Sequence, residues 1–221
     1  SNEGLCCVGM KVIGNGFVLT ASEERNFSLY SNDEYSKFVR PYLNGRDLSQ
    51  TSRDVFVIDF FEKSEAWVRS NYPALYQHLL GTVKPFRDES RNAKFREDWW
   101  VIGHPRPLFR SFTAHLERYV ATLETAKHRF FVFLPKATVP DSALVTFGFD
   151  DAYKLAVLSS RIHVVWSLAA GGRLGVGNDP RYNKSRCFDP FPFPAQSTER
   201  VTGRLREQAE SLDALRKRVL A

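Results

Sequence analysis

Residues 128–169 read HRFFVFLPKATVPDSALVTFGFDDAYKLAVLSSRIHVVWSLA and decide the fold class. HRFFVFLP at 128–135 and ALVTFGF at 143–149 are apolar runs rich in aromatic and β-branched residues, which predicts two strands joined by a turn at Pro140-Asp141. From residue 150 the apolar period changes to three and four, at Leu155, Leu158, Ile162, Val165 and Ala169. This period predicts one helix over 150–169, ended by Gly171-Gly172. Strands and helix in one stretch predict an α+β fold.

The first quarter of the chain is predicted to be β-rich. CCVGMKVIGNGFVLT at 6–20 indicates two short strands around a hairpin turn at Gly14-Asn15-Gly16. KFVRPYLNGRDL at 37–48 predicts a further β segment. VFVIDFF at 55–61 is almost continuously apolar, as in a strand that is covered on both faces.

Helices are predicted between and after these strands. Residues 63–92 carry apolar residues at helical intervals, which predicts one short and one longer helix, with Pro73 in a first turn. Residues 106–116 are predicted to be helical and 119–122 extended. GRLGVGNDPRYNKSRCFDPFPFP at 172–194 is predicted to be a loop or an irregular β-ribbon.

The composition changes after Pro194. Residues 197–221 form a charged sequence with a narrow apolar stripe, which predicts a helix. The stripe comprises Val201, Leu205, Ala209, Leu212, Leu215 and Val219. It needs either a partner or the chain's own core. We therefore divide the chain into a recognition domain at 1–194 and a helical segment at 195–221, the start of a following helical region.

Composition narrows the function classes. The 221 residues suit one large domain or a domain with an appendage, and no apolar run is long enough for a membrane span. The net charge is +6, with 21 Arg against 10 Lys. Arginine binds phosphate and guanine edges bidentately, so this excess favours a polyanionic partner, although a basic solvated surface explains the charge alone equally well.

The cysteines and the first residues predict a setting. Cys6, Cys7 and Cys187 have no zinc-ligand spacing, and with no signal peptide they favour a reducing cytoplasmic compartment. The sequence begins SNEGLCC without methionine. We expect a piece excised from a longer protein, with Ser1 and Asn2 left from a tag.

Catalytic motifs are incomplete. An amino-methyltransferase needs Asn/Asp-Pro-Pro-aromatic, but the nearest strings, at 178–182 and 189–192, lack the second proline in its place. Gly14-Asn15-Gly16 leads into a predicted strand, so no helix start is available to cradle a cofactor. We predict that this stretch of chain is not catalytic by itself and holds no cofactor or metal.

Each enzymatic alternative depends on particular residues. A metal-dependent nuclease needs Pro-Asp followed by Asp/Glu-x-Lys, and Asp151-Ala152-Tyr153-Lys154 is one residue too long. A turn and a helix start are the favoured interpretation. His163 on an apolar helix is predicted to be a core residue near Trp166 rather than a base. An enzyme whose site combines distant residues such as Asp141, Asp151 and Lys154 remains open at this point.

A recognition surface is the remaining interpretation. Between 173 and 186 the chain crowds bidentate donors, amides and an aromatic residue, the types that read base edges and grip phosphates. The candidates are Arg173, Asn178, Arg181, Tyr182, Asn183, Lys184 and Arg186. Further candidates are Arg40, Arg46, Arg106, Arg110, Arg118 and Lys127. A protein-interaction module that binds an acidic partner is the alternative.

Several motifs in order resemble one family. GMKVIGNGFVLT, VRPYLNGRDL, Trp99-Trp100, HRFFVFLP, LSSRIHVVW and PRYNKSRCFDPFPFP are similar to the target recognition domain of MmeI-type (type IIG/IIL) restriction-modification adenine DNA methyltransferases. The resemblance covers about residues 9–194. It implies a double-stranded DNA recognition module of a bacterial restriction-modification or phage-defence enzyme, whose methyltransferase and nuclease lie upstream.

The same resemblance implies roles for single residues. Arg181, followed by Tyr182, matches the family's base-reading arginine. Gly175 and Gly177 stand near positions that are charged in some members and set the specificity at another base. Trp99, Trp100, His163 and Trp166 resemble core and junction residues, and 191–194 a rigid exit before the tail helix. For the parent enzyme it implies S-adenosylmethionine as cofactor, Mg²⁺ if a nuclease is present, and contacts with its methyltransferase and helical domains.

Overall fold

The computed structural model describes residues 2–29, 34–174, 178–195 and 198–220, and its elements are numbered in chain order. The strands are β1 Cys6–Val8, β2 Val18–Thr20, β3 Val39–Leu43, β4 Val55–Ile58, β5 Arg118–Leu123, β6 Val132–Pro135, β7 Val139–Pro140, β8 Leu144–Phe147, β9 Gly172–Leu174 and β10 Asp179–Arg181. The α-helices are α1 Ala21–Ser28, α2 Tyr35–Phe38, α3 Gly45–Ser49, α4 Glu65–Asn71, α5 Pro73–Thr82, α6 Lys84–Asp88, α7 Ala93–Glu97, α8 Pro107–Thr113, α9 Ala152–Ser159, α10 Arg161–Ala170 and α11 Glu199–Leu220. This mixture confirms the α+β prediction.

A first sheet of four antiparallel strands has the order β1-β8-β5-β6. Its central strands are covered on both faces, since neighbouring residues such as Val120 and Ala121 are both fully buried. The two predicted strands at 128–135 and 143–149 exist as β6 and β8, but they are not neighbours. β5 lies between them and pairs with both.

A second sheet has the order β2-β4-β3-β7, with β3 and β7 parallel. Its β4 confirms the strand within 55–61, and Val57, Ile58 and Phe60 are fully buried. The predicted hairpin over 6–20 is wrong, because β1 pairs with β8 while β2 pairs with β4 in the other sheet. Asn15 and Gly16 instead begin a 3₁₀ turn, and Gly14 precedes it at φ 121°.

The predicted helices are present, but one of them is divided into two. Helices α4 and α5 are the short and the longer helix expected within 63–92, and Pro73 begins α5. A third short helix, α6, also lies in this range and was not predicted. The single helix predicted over 150–169 is two helices separated at Ser160. Ser160 is extended, at ψ 151°, and its hydroxyl accepts a hydrogen bond from His163 N as the N-cap of α10. An N-cap residue competes with helix continuation, a signal that apolar period alone does not register.

The tail helix α11 packs on α9 and on the edge of the first sheet. Asp213 is 3% exposed, and its Oδ1 accepts a hydrogen bond from Phe133 N at 2.8 Å. Arg216 Nη1 donates to Phe131 O at 2.6 Å. Side chains of α11 thus bond the backbone of edge strand β6 and its approach, where a further strand would otherwise pair.

The apolar stripe of α11 is only partly used. Ala209 is buried in the same cluster as Phe131, Phe133 and Leu155, so the middle of the stripe folds back on the chain's own core. Val201, Leu215 and Val219 remain 45%, 45% and 74% exposed. In the described part of the chain, no helix combines the length and the hydrophobicity needed to cross a membrane.

Candidate nucleic-acid interface

The candidate loop at 172–194 begins with a two-stranded hairpin. Strands β9 and β10 are antiparallel, with Arg173 opposite Pro180 and Gly172 opposite Arg181. Asn178 enters β10 with φ 50°, a left-handed conformation that asparagine tolerates better than most residues. The turn at 175–177 lies outside the described residues, and the expectation for Gly175 and Gly177 lies there with it.

The base of the hairpin is held by close backbone contact. A Cβ on Gly171 would lie 2.5 Å from Arg181 O and 2.6 Å from Ser167 O, so only glycine fits there without a shift. Asn183 Oδ1 accepts a hydrogen bond from Gly172 N at 3.1 Å. Asn183 was predicted to contact DNA, and the structure gives its carbonyl oxygen this bond across the hairpin base.

Tyr182 anchors β10 to the core. Its side chain is 1% exposed, and its hydroxyl shares a 2.9 Å hydrogen bond with His163 Nε2. Tyr182 was predicted to contact DNA, but in this structure its side chain does not reach the surface. Phe131 and Phe147 pack edge-on against its ring, which explains the burial of an aromatic side chain in a polar loop.

His163 is a core residue, as predicted. It is fully buried on α10, and burial lowers its pKa to about 4. Among the described residues its Nδ1 has no hydrogen-bond partner. Trp166 lies one turn further along and donates its Nε1 hydrogen bond to Cys187 O, so α10 holds the segment after the hairpin as well.

Arg181 is presented by an ion pair that the sequence did not predict. Its Nε and Nη2 both donate to Glu124 Oε1, at 3.0 and 2.8 Å. The Arg181 side chain remains 39% exposed and that of Glu124 23%. Because one carboxylate oxygen receives both bonds, Nη1 and the outer edge of the guanidinium stay available for another acceptor.

Arg129 joins the hairpin to the end of β5, and the sequence analysis missed it. Its guanidinium donates to Leu123 O, to Glu124 O at 3.4 Å and to Pro180 O at 3.1 Å. It also lies 5.3 Å from the ring centre of Tyr182. Burial lowers its pKa, and no described carboxylate pairs with it. The basic run 127–129, which lies between β5 and β6, was the available signal.

A surface cleft of about 570 Å³ adjoins this junction. One wall is formed by the start of α3, with Arg46, and the other by residues 123–130, with Lys127 and His128. Glu124 and Ala126 belong to the second wall, and Ala126 N donates to Pro180 O of β10.

The cleft exposes basic side chains, those of Arg46, Lys127 and His128. Neither Arg46 nor Lys127 forms an ion pair with a described residue. The hairpin and the cleft therefore share one cationic surface, which we call the hairpin–cleft surface.

The other candidates divide between exposed and engaged cations. Arg173 and Arg186 are exposed, and Arg173 Nη1 donates to Asn178 O at 3.1 Å. Lys184 pairs with Asp189 at 3.1 Å.

The candidates Arg106 and Arg110 are engaged by the fold. Arg106 donates to Gly9 O, and Arg110 makes two 2.8 Å bonds to the buried Asp59. Neither Arg106 nor Arg110 lines the cleft, and none of their hydrogen bonds within the described residues reaches the hairpin.

The secondary candidates Arg40 and Arg118 are likewise engaged by the fold. Arg40 donates to Lys136 O and Ala137 O and lies 3.7 Å from Asp59. Arg118 pairs with Glu210 of α11 and stacks 3.7 Å from the ring centre of Phe133. Arginine fills these structural roles because its fork can satisfy several acceptors at once.

The residues named for an alternative enzyme have structural tasks. Asp141 accepts a hydrogen bond from the Tyr42 hydroxyl at 2.6 Å and another from Ala143 N. Asp151 caps α9 and pairs with Arg206 at 2.9 Å. The Lys154 ammonium lies 4.7 Å from the ring centre of Phe193. Within the described ranges, no group of three His, Cys, Asp or Glu residues could hold a metal ion.

Comparisons with known proteins identify the family. Residues 6–195 match the family described as "MmeI, target recognition domain". The fold is similar, with a TM-score of 0.76 and 18% identity over 99% of this chain, to the structure of the Type IIL restriction-modification enzyme MmeI in complex with DNA. A 79-residue stretch, 34% of this chain, is 32% identical to DNA methyltransferase A of Bacillus subtilis (strain 168). This chain spans 28% and 9% of those two proteins, respectively. The chain belongs to the MmeI target recognition domain family.

Proposed function

We propose that this chain recognises a specific sequence in double-stranded DNA, and that the hairpin–cleft surface makes the contact. A two-stranded ribbon fits the major groove of B-DNA, which is about 12 Å wide. The hairpin β9–β10 is such a ribbon, and it carries Arg173 and the half-exposed Arg181. Family membership supports the proposal, as does the similarity to an MmeI structure that contains DNA.

The observation that carries the proposal is the geometry of Arg181. Glu124 fixes its Nε edge, so the guanidinium is oriented before any ligand arrives and loses little freedom on binding.

We assign base reading to Arg181 and groove contact to Arg173 and Asn178 beside it. Arg46 and Lys127 contact phosphates from the cleft, and Lys184 and Arg186 contribute charge beyond the hairpin. Asn183 and Tyr182 support β10 from behind.

The longer protein to which such a domain belongs is proposed to be a DNA adenine methyltransferase of a bacterial restriction-modification or phage-defence system. The match to DNA methyltransferase A supports this class. In that protein S-adenosylmethionine would supply the methyl group and would bind outside this chain. The role of this chain would be to place the target base for flipping into the methyltransferase site.

Salt dependence tests the DNA-binding proposal. Duplex affinity of the 221-residue chain should fall steeply with salt, with a logarithmic slope of about −0.9 for each phosphate neutralised. The measurement is a fluorescence-anisotropy titration at several salt concentrations. Absence of duplex binding at low salt would contradict the proposal and favour an acidic protein partner.

Arg181→Ala tests base reading in the full-length protein. We expect discrimination between the methylated sequence and its single-base variants to fall by about 1–3 kcal/mol, because a bidentate base contact is lost. Sequencing of methylated sites measures it. Arg186→Ala is the matched control, because it removes one exposed charge outside the hairpin. An unaltered methylation pattern in the Arg181 variant would remove this residue from the proposal.

We propose that a second surface, formed by exposed apolar residues of α10, contacts other domains of the longer protein. Ile162, Val165 and Leu168 on α10 are 77%, 56% and 46% exposed. Ile162 lines an apolar groove together with Trp166 of α10, Phe191 and residues of α9 and α11. In the longer protein, Ile162→Glu should loosen domain association, measured by limited proteolysis, while duplex binding by the 221-residue chain stays unchanged.

A further inference from the structure

Arg87 is a buried cation without a carboxylate partner. It lies on α6 and is 1% exposed, and its pKa is lowered to about 10 by burial alone. A buried charge is normally paired, because the cost of removing it from water is large. Among the described residues, no carboxylate forms an ion pair with it.

The guanidinium is held by hydrogen bonds from two of its three nitrogens and lies near two aromatic rings. Nε donates to Ile13 O at 2.9 Å, and Nη2 donates to Val12 O and Val101 O at 3.2 and 3.1 Å. The rings of Phe17 and Phe95 lie 5.4 and 4.8 Å away. Within the described residues Nη1 makes no hydrogen bond, so its two N–H donors are unused.

Arg87 lines a separate cavity of about 220 Å³. Its wall contains three cations, Lys63, Arg87 and Lys94, and two carboxylates, Glu62 and Asp98. The Lys63 ammonium lies 4.8 Å from the ring centre of Trp67, whereas the exposed Lys94 has no ion-pair partner among the described residues. The ionic lining therefore carries one uncompensated positive charge.

We propose that this cavity binds one phosphate-sized oxyanion through Nη1 of Arg87 and the ammonium of Lys94. A single negative charge neutralises the lining, and two guanidinium N–H donors with an ammonium are the group set that proteins use for phosphate oxygens. The volume suffices for an oxyanion with several waters, each about 30 Å³ in the liquid. The site does not involve the hairpin–cleft surface and does not depend on the function proposed for it.

Phosphate titration of the 221-residue chain tests the site. The melting temperature should rise saturably with inorganic phosphate at constant ionic strength, relative to chloride, because the folded state alone binds the anion. Lys94→Ala should weaken the phosphate affinity derived from this rise by about twofold to fivefold, as expected for one partly solvated charge. Arg91→Ala is the matched control. Arg91 is an exposed cation on the same segment as Lys94, but it does not line the cavity.

Arg87→Met should abolish the saturable rise, and circular dichroism establishes whether this variant is folded. If it is not, the Lys94 and Arg91 variants decide the matter alone. Equal melting curves in phosphate and chloride, or equal phosphate affinities for Lys94→Ala and Arg91→Ala, would overturn the proposal.

The same variants identify the source of the phosphate. If a DNA backbone phosphate occupies the cavity, inorganic phosphate competes with a mixed-sequence duplex, and Lys94→Ala weakens duplex binding more than Arg91→Ala does. If a free anion occupies it, the two variants bind duplex equally while the phosphate-dependent melting shift still separates them.

Discussion

The tail helix α11 and the hairpin β9–β10 both bring arginines to the first sheet, but they use them differently. On α11, Arg216 donates to Phe131 O and Ser159 Oγ, and Arg206 pairs with Asp151. On the hairpin, Arg173 is exposed, and Arg181 keeps one edge free while Glu124 holds the other. Arginines whose donors are used by the fold and arginines that keep donors free are thus distinguished by their partners, and the number of arginines in a segment does not distinguish them.

The largest expected effect is on the tail helix. Asp213→Ala leaves Phe133 N–H buried without its acceptor and should lower the free energy of unfolding by about 2–3 kcal/mol. Urea denaturation measures it, with Glu207→Ala on the exposed face of α11 as control. Duplex affinity should be unchanged while the variant is folded. A loss of stability no larger than that of the control would mean that α11 does not secure the sheet edge.

Acid should weaken the anchor behind the hairpin. His163 has a folded-state pKa of about 4, below its ordinary value, so between that value and about 6.5 the unfolded chain binds a proton that the folded chain does not. The contribution of the neutral His163 side chain to the free energy of unfolding is fully present above about pH 6.5, and it falls as the pH is lowered toward 4. At pH 4.5 the loss should be about 2–3 kcal/mol.

The measurement is urea denaturation of the unsubstituted 221-residue chain and of its His163→Gln variant, each at pH 7 and at pH 4.5. Subtracting the variant removes the contribution of the carboxylates. The pH-dependent loss should be smaller in the variant by the amount given. Equal losses in both proteins would contradict a neutral, buried His163.

The hairpin base provides a matched pair of glycines. Gly171→Ala brings a Cβ against Arg181 O and should destabilise the chain by about 1–3 kcal/mol and weaken duplex binding, since β10 must move. Gly172→Ala meets only Asn183 Oδ1, at 3.4 Å, and should be tolerated. Thermal unfolding and duplex titration compare them. Equal behaviour of the two variants would show that the close approach at Gly171 does not position the hairpin.

The smallest effects bear on the comparison most directly. Arg216→Ala should lower the free energy of unfolding by about 1 kcal/mol through its lost hydrogen bonds and leave duplex affinity unaltered. Arg173→Ala should leave stability within about 0.5 kcal/mol and reduce the salt slope of duplex binding by about 1. Both variants lose one positive charge. Reversed results would assign DNA contact to the tail and a structural role to the hairpin.

Particular residues show how far sequence reasoning reached in the site. The segment 173–186 was identified from its composition, and the structure places Arg173, Asn178 and Arg181 together on the hairpin. Tyr182 has the residue type of a DNA contact but belongs to the core. Glu124 and Arg129 were missed because their importance comes from contacts with β10, more than fifty residues further along the chain.

The sequence by itself determined the local elements and the family. Apolar period, glycine and proline place most strands and helices, because these features act within a few residues. Tertiary structure decided which strands are neighbours, as with β5 between β6 and β8, and where the cations point. Strand pairing and ion pairing join residues that are distant in the chain. A local pattern does not record whether an arginine will meet a carboxylate, a carbonyl group or solvent.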